Sequence, residues 1–170
     1  MTLKYLKIIG ISFLSIILLA SCSTTETKAV SISFEAVAAG PFFEGGNSLI
    51  AESNMNLNEL IGDAEIKPES IESIQLEKAT ITVLQMENFD AFNNASLSLV
   101  SGNSPMQSVA ILNPIEGSSK TITLTTSDEA ELLSFFKEGK FSLITDLDFK
   151  SDDYMEQLAV QVDLNLILHY

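Results

Sequence analysis

The chain has 170 residues, with 23 acidic side chains against nine lysines and no arginine, for a formal net charge of −14. That balance excludes nucleic-acid binding, which needs Lys and Arg to neutralise phosphates, and it removes the guanidinium fork that best grips carboxylates. A single cysteine rules out an intrachain disulfide, and a single histidine, His169, leaves the usual hydrolase constellations only one base to use.

At the N-terminus, Lys4 and Lys7 precede the uncharged apolar run Ile8–Ala20, which ends in small residues just before Cys22. A basic start, an apolar stretch of about 7–15 residues and a small-residue cleavage site are the layout of a secretory signal. The run falls short of the ~20 apolar residues that a membrane-spanning helix needs. Leu19-Ala20-Ser21-Cys22 resembles the lipobox of bacterial lipoproteins, whose signal peptidase cuts before a cysteine that carries diacylglycerol. The resemblance covers residues 1–22 alone. It implies a signal peptide at 1–21, lipid attachment at Cys22, and a mature chain of 149 residues with net charge about −16. A conventional secreted protein would instead be left with an unpaired thiol. Stable anchoring generally takes more than one acyl chain, at about 0.8 kcal/mol per buried methylene, and a cysteine modified in the lipoprotein manner carries two or three. Residues 22–29 then read as a lipidated N-terminus and polar tether, its six residues 23–28 reaching about 20 Å at most. Ser23 is not the aspartate that signals inner-membrane retention in such proteins. The expected location is therefore the outer membrane, on its periplasmic side rather than the cell surface.

From Val30 onward the apolar period is two rather than 3.6, which predicts strands. In chain order these are Val30–Ala38, Ser48–Glu52, Ile74–Met86, Ala95–Ser101, Ser108–Leu112, Lys120–Thr125, Phe141–Phe149 and Leu158–Tyr170. The last alternates without a break from Leu158 through Val160, Val162, Leu164, Leu166 and Leu168 to Tyr170. In the third, apolar residues switch from even positions (Ile74, Leu76) to odd ones (Ala79, Ile81, Val83), which predicts a bulge near Glu77–Lys78. Gly45-Gly46-Asn47, Gly102-Asn103-Ser104-Pro105 and Asn113-Pro114 mark turns. Helical patterning appears at Ser127–Glu138, with Ser/Asp capping candidates and a stop at Gly139, and in shorter pieces at Asn56–Asp63 and Pro68–Ser73. The expected architecture is all-β: one domain over residues 30–170, folded as a two-layer antiparallel β-sandwich, immunoglobulin-like or jelly-roll-like, with one or two short helices.

Few groupings carry chemistry. His169 lies on the polar side of the last strand with no triad or metal-ligand spacing around it. Asp146, Asp148, Asp152 and Asp153 are the densest acidic group, yet the calcium-loop pattern is missing and Lys150 stands where a ligand would help. Glycosidase chemistry needs two matched carboxylates, which any chain this acidic offers by chance, and there is no Trp to stack on sugar. No metal, cofactor or catalytic residue is expected. The Gly40–Gly46 connection, with Phe42 and Phe43 side by side, is the most informative loop. An extended backbone sends adjacent residues to opposite sides, so one ring would plug the end of the fold while the other stays exposed for a partner. The chain therefore reads as a lipid-anchored, non-catalytic domain that binds an envelope protein or an extracellular polymer, with Phe42 and Phe43 as contact residues. The alternative is a periplasmic carrier for an apolar ligand or lipid, with Phe135 and Phe136 lining its cavity.

Overall fold

Each alternating run forms a strand. The computed structural model describes residues 25–62 and 65–170, so the apolar leader and Cys22 lie outside the described residues. Among the described residues the strands are β1 (Thr27–Ala39), β2 (Gly45–Ser53), β3 (Ser73–Val83), β4 (Phe92–Ser101), β5 (Gln107–Leu112), β6 (Thr121–Thr126), β7 (Phe141–Phe149) and β8 (Gln157–His169). The first strand begins at Thr27, inside the stretch read as tether, because Glu26 and Tyr170 exchange backbone hydrogen bonds of 2.9 and 3.0 Å and extend the β1–β8 ladder. The β3–β8 ladder shifts register between Leu76 and Lys78. The extra residue, Glu77, lets Ile74 and Leu76 point inward together with Ala79, Ile81 and Val83.

These strands do not form an open two-layer sandwich. They close into an eight-stranded antiparallel barrel in the order β1-β2-β7-β4-β5-β6-β3-β8. One wall runs β6-β3-β8-β1 and the other β2-β7-β4-β5, sewn by long ladders such as the thirteen residue pairs of β1 with β8. Two short seams join the walls: Val37 opposite Ile50, and Ala110 and Ile111 opposite Thr126 and Thr125. The difference between sandwich and barrel has a simple physical cause. Alternation reports which face of a strand is buried, and that is the same in a sandwich and in a barrel. Whether the edge strands pair depends on a few backbone hydrogen bonds at two short seams.

Eight strands enclose a space that side chains can fill. The inward rows do so: Leu143, Leu147, Val160, Val162, Leu166 and Leu168 are among the residues with no exposed surface. Two inward positions are polar, Ser53 and Thr145; Thr145 is fully buried, and its hydroxyl has no hydrogen-bond partner among the described residues. Outward positions carry Ser31, Ser33, Glu35, Gln161 and Asp163, the reverse of a membrane barrel, whose outer band is apolar. No helix among the described residues is long and apolar enough to cross a membrane.

Because all neighbours are antiparallel, connections after odd-numbered strands emerge at one end, and those after even-numbered strands at the other. The described chain starts and finishes at this second, proximal end. Two short helices cover it. In α1 (Leu57–Ile61), the Asn56 side chain accepts from the Asn58 and Glu59 amides at 2.9 and 3.2 Å, while the Glu59 carboxylate accepts the Asn56 N–H at 2.8 Å. This reciprocal cap compensates for a helix too short to hold itself. The second, α2, spans only Leu133–Glu138. Ser127 and Asp128 do not cap it: the N-cap position is Leu132, with no side-chain cap, while the Ser127 N–H extends the β5–β6 ladder to the Val109 carbonyl at 2.9 Å and a separate turn follows from Ser127 to Ala130. Gly139 ends it in the left-handed conformation, φ 70°, close against Asn56. The Pro68–Ser70 segment is a single 3-10 turn.

Candidate functional site

The distal end brings together the loop after β1 and the loop after β7. The Gly40 N–H donates to the Glu156 carbonyl at 2.9 Å, and Phe42 and Asp153 exchange backbone hydrogen bonds of 2.8 and 2.9 Å as an isolated antiparallel bridge. Only glycine fits at position 40, because a Cβ there would lie 2.0 Å from the Met155 carbonyl oxygen. The Glu44 N–H donates to Asp152 Oδ1 at 2.9 Å, and the Asn47 carboxamide donates to the Phe43 and Gly45 carbonyls at 2.7 and 2.9 Å. Although this is loop, its backbone polar groups are largely satisfied internally.

That geometry divides the Phe42-Phe43 pair. The Phe42 ring lies parallel to Phe149 with centroids 5.3 Å apart and is 2% exposed, while Phe43 is 60% exposed. Phe42 is therefore a core residue and not a contact residue. Of the nine phenylalanines in the described residues, eight belong to two aromatic groups: Phe42, Phe149, Phe92 and Phe89 distally, and Phe34, Phe141, Phe135 and Phe136 proximally. Phe43 is the one left over. Phe135 and Phe136 are each 1% exposed and pack edge-on against Phe141, so they are core and do not line a ligand chamber. The bridge also brings Tyr154, 80% exposed, to the same end as Phe43. Nothing in the sequence marks Tyr154, since a lone Tyr far along the chain carries no sign of which loop it will meet.

The remaining sequence candidates are scattered. Asp146 accepts from the Ser48 hydroxyl, Asp148 from the Asn94 side chain at 2.7 Å, and Asp153 from the Met155 N–H at 2.9 Å. With Asp152 held by Glu44, these carboxylates serve separate local contacts, and no group of three or more His, Cys, Asp or Glu among the described residues is arranged to hold a metal ion. His169 lines a shallow recess with Ser73, Asp128 and Glu131, but no hydrogen bond joins its imidazole to any of them.

A larger cleft, about 540 Å³, opens on the outside of the β2-β7-β4 wall at its proximal edge. Glu52 and Ser142 face each other across its floor beside Val100, and Glu138 and Lys140 form one lip. Glu138 accepts the Ser104 hydroxyl at 2.6 Å and the Asn103 N–H at 3.2 Å. Hydrogen bonds from Ser104 and Ser101 hold its pKa below the usual carboxylate range, and the carboxylate clamps the β4–β5 turn.

No protein-family model matches this chain, and no curated protein matches it. Among solved structures it is similar to the crystal structure of the decameric BFDV capsid protein, at 7% identity over 85% of this chain and 98% of that one, with a TM-score of 0.34. A likeness so slight carries no argument about function.

Proposed function

We propose that this is a lipid-anchored, non-catalytic binding module, tethered through Cys22 to the periplasmic side of the outer membrane, whose distal loops contact an envelope protein or polymer. The observation that carries this reading is the exposed Phe43 ring on a hydrogen-bonded loop, at the end opposite to where the chain enters the barrel. Acyl chains at Cys22, four residues before Glu26, would hold the proximal end at the bilayer. Thirteen residues of β1 run from that end to the distal loops, roughly 40 Å along the strand and about 30 Å along the axis at the usual barrel tilt. Phe43 would then face away from the anchoring membrane, where a partner can reach it. Aromatic rings are enriched among the residues that anchor interfaces.

The test is crosslinking in intact cells. Phe43→Ser is expected to abolish the crosslinked partner band while the melting temperature stays unchanged, and Cys22→Ala is expected to release the protein from the envelope fraction. An unaltered band in Phe43→Ser removes the contact assignment, and unaltered sedimentation in Cys22→Ala removes the anchor.

A further inference from the structure

The Phe42–Asp153 bridge fixes more than one ring. In an antiparallel pair, residues flanking the bridge point to the face opposite the bridged side chains, so Phe43 lies across from Asp152 and Tyr154 is its diagonal neighbour. Diagonal positions are about 7–8 Å apart, within reach of aromatic side chains. With Phe42 turned into the core, both Phe43 and Tyr154 face water, at 60% and 80% exposure.

The surroundings of this pair are negative. The two loops carry Glu44, Asp152, Asp153 and Glu156 against one cation, Lys150. The Lys150 ammonium donates to the Asp90 carbonyl at 2.8 Å and is directed to the neighbouring loop. Two electron-rich ring faces in an acidic rim suit a cation on an extended side chain: the rings attract it through their quadrupoles, and the carboxylates attract it through their charge. Anionic polymers would be repelled from the same place, and neutral sugars, though able to hydrogen-bond to the acids, would gain no charge attraction from them. The loop hydrogen bonds hold the rings in place before a partner arrives, which lowers the ordering cost of docking.

Building on the distal contact proposed above, we infer that Phe43 and Tyr154 form one aromatic clip, set in an acidic rim, that docks a Lys/Arg-bearing segment of a protein partner. The full chain in detergent, titrated with a fluorescent decapeptide alternating Lys with Gly and Ser, tests this by anisotropy. Phe43→Ser and Tyr154→Ser are each expected to weaken binding about tenfold, with the double variant no better than either. Asp152→Asn should weaken it several-fold, and raising salt from 50 to 500 mM should do the same, whereas Glu35→Gln on the barrel wall should leave it unchanged. Unaltered melting temperatures confirm that the variants fold. The inference is overturned if the aromatic variants bind the peptide as the parent does, or if a glucan or a Glu-substituted peptide binds as well as the Lys peptide. A crosslinked partner that depends on Phe43 but proves to be a polysaccharide or an acidic protein overturns this inference and leaves the distal contact standing. A partner indifferent to Phe43 overturns both.

Discussion

Phe135-Phe136 and Phe42-Phe43 close opposite ends of the same barrel, yet the first pair is wholly buried, at 1% exposure each, while the second is divided between 2% and 60%. The difference lies in the backbone beneath them. In α2, adjacent residues are about 100° apart around the helix, so both rings fall within one broad apolar face that packs on Phe141. In the extended loop after β1 they are about 180° apart, and when Phe42 turns in to stack on Phe149, Phe43 must turn out. Phe141 and Phe149 are the two ends of one strand, β7, which thus supports both aromatic groups. Closing an end with helix seals it. Closing it with an extended loop leaves a ring facing solvent.

Breaking the pairs one ring at a time gives the largest expected effect. Phe42→Ala should cost about 3–5 kcal/mol, as expected for a phenylalanine removed from a packed core, whereas Phe43→Ala should stay within about 0.5 kcal/mol of the parent. Chemical denaturation of the two variants measures that contrast, and equal losses would mean that Phe43 also packs. At the helical end a smaller effect is expected from Asn56→Ala, which removes the cap of α1 and should cost about 0.5–2 kcal/mol. The smallest concerns the turn beside α2. Ser104→Ala removes the strongest hydrogen bond to Glu138 and should raise its pKa towards the usual carboxylate range, read by NMR titration of the side-chain carboxyl. Because the folded pKa is depressed, the contribution of this contact to stability is present above the unfolded value and is lost as pH falls through the folded one. The variant, with the Ser101 and Asn103 contacts left, should show a smaller acid-side loss, and an unmoved titration would show that Ser104 does not set it.

Part of the distal loop's geometry is legible in the sequence. The Gly/Pro-rich loop with two adjacent rings implied one ring in and one out, because that follows from extended backbone alone. Which ring would go in depended on Phe149 lying beneath position 42 and on the bridge to Asp153. Tyr154 could not be read at all, since its meaning comes entirely from the loop it faces. The helix expected over Ser127–Glu138 lost its first half: Ser127 continues the β5–β6 ladder to Val109, a lone turn closes from Ser127 to Ala130, and helix starts only at Leu133.

What the residues determined by themselves were the eight strands, their buried faces and the bulge at Glu77, because alternation and its phase are properties of neighbours a few positions apart. Closure was decided only by the tertiary structure. Val37 meeting Ile50, and Ala110 and Ile111 meeting Thr126 and Thr125, turn two walls into one barrel through backbone groups that every residue carries, and so leave no mark in side-chain pattern.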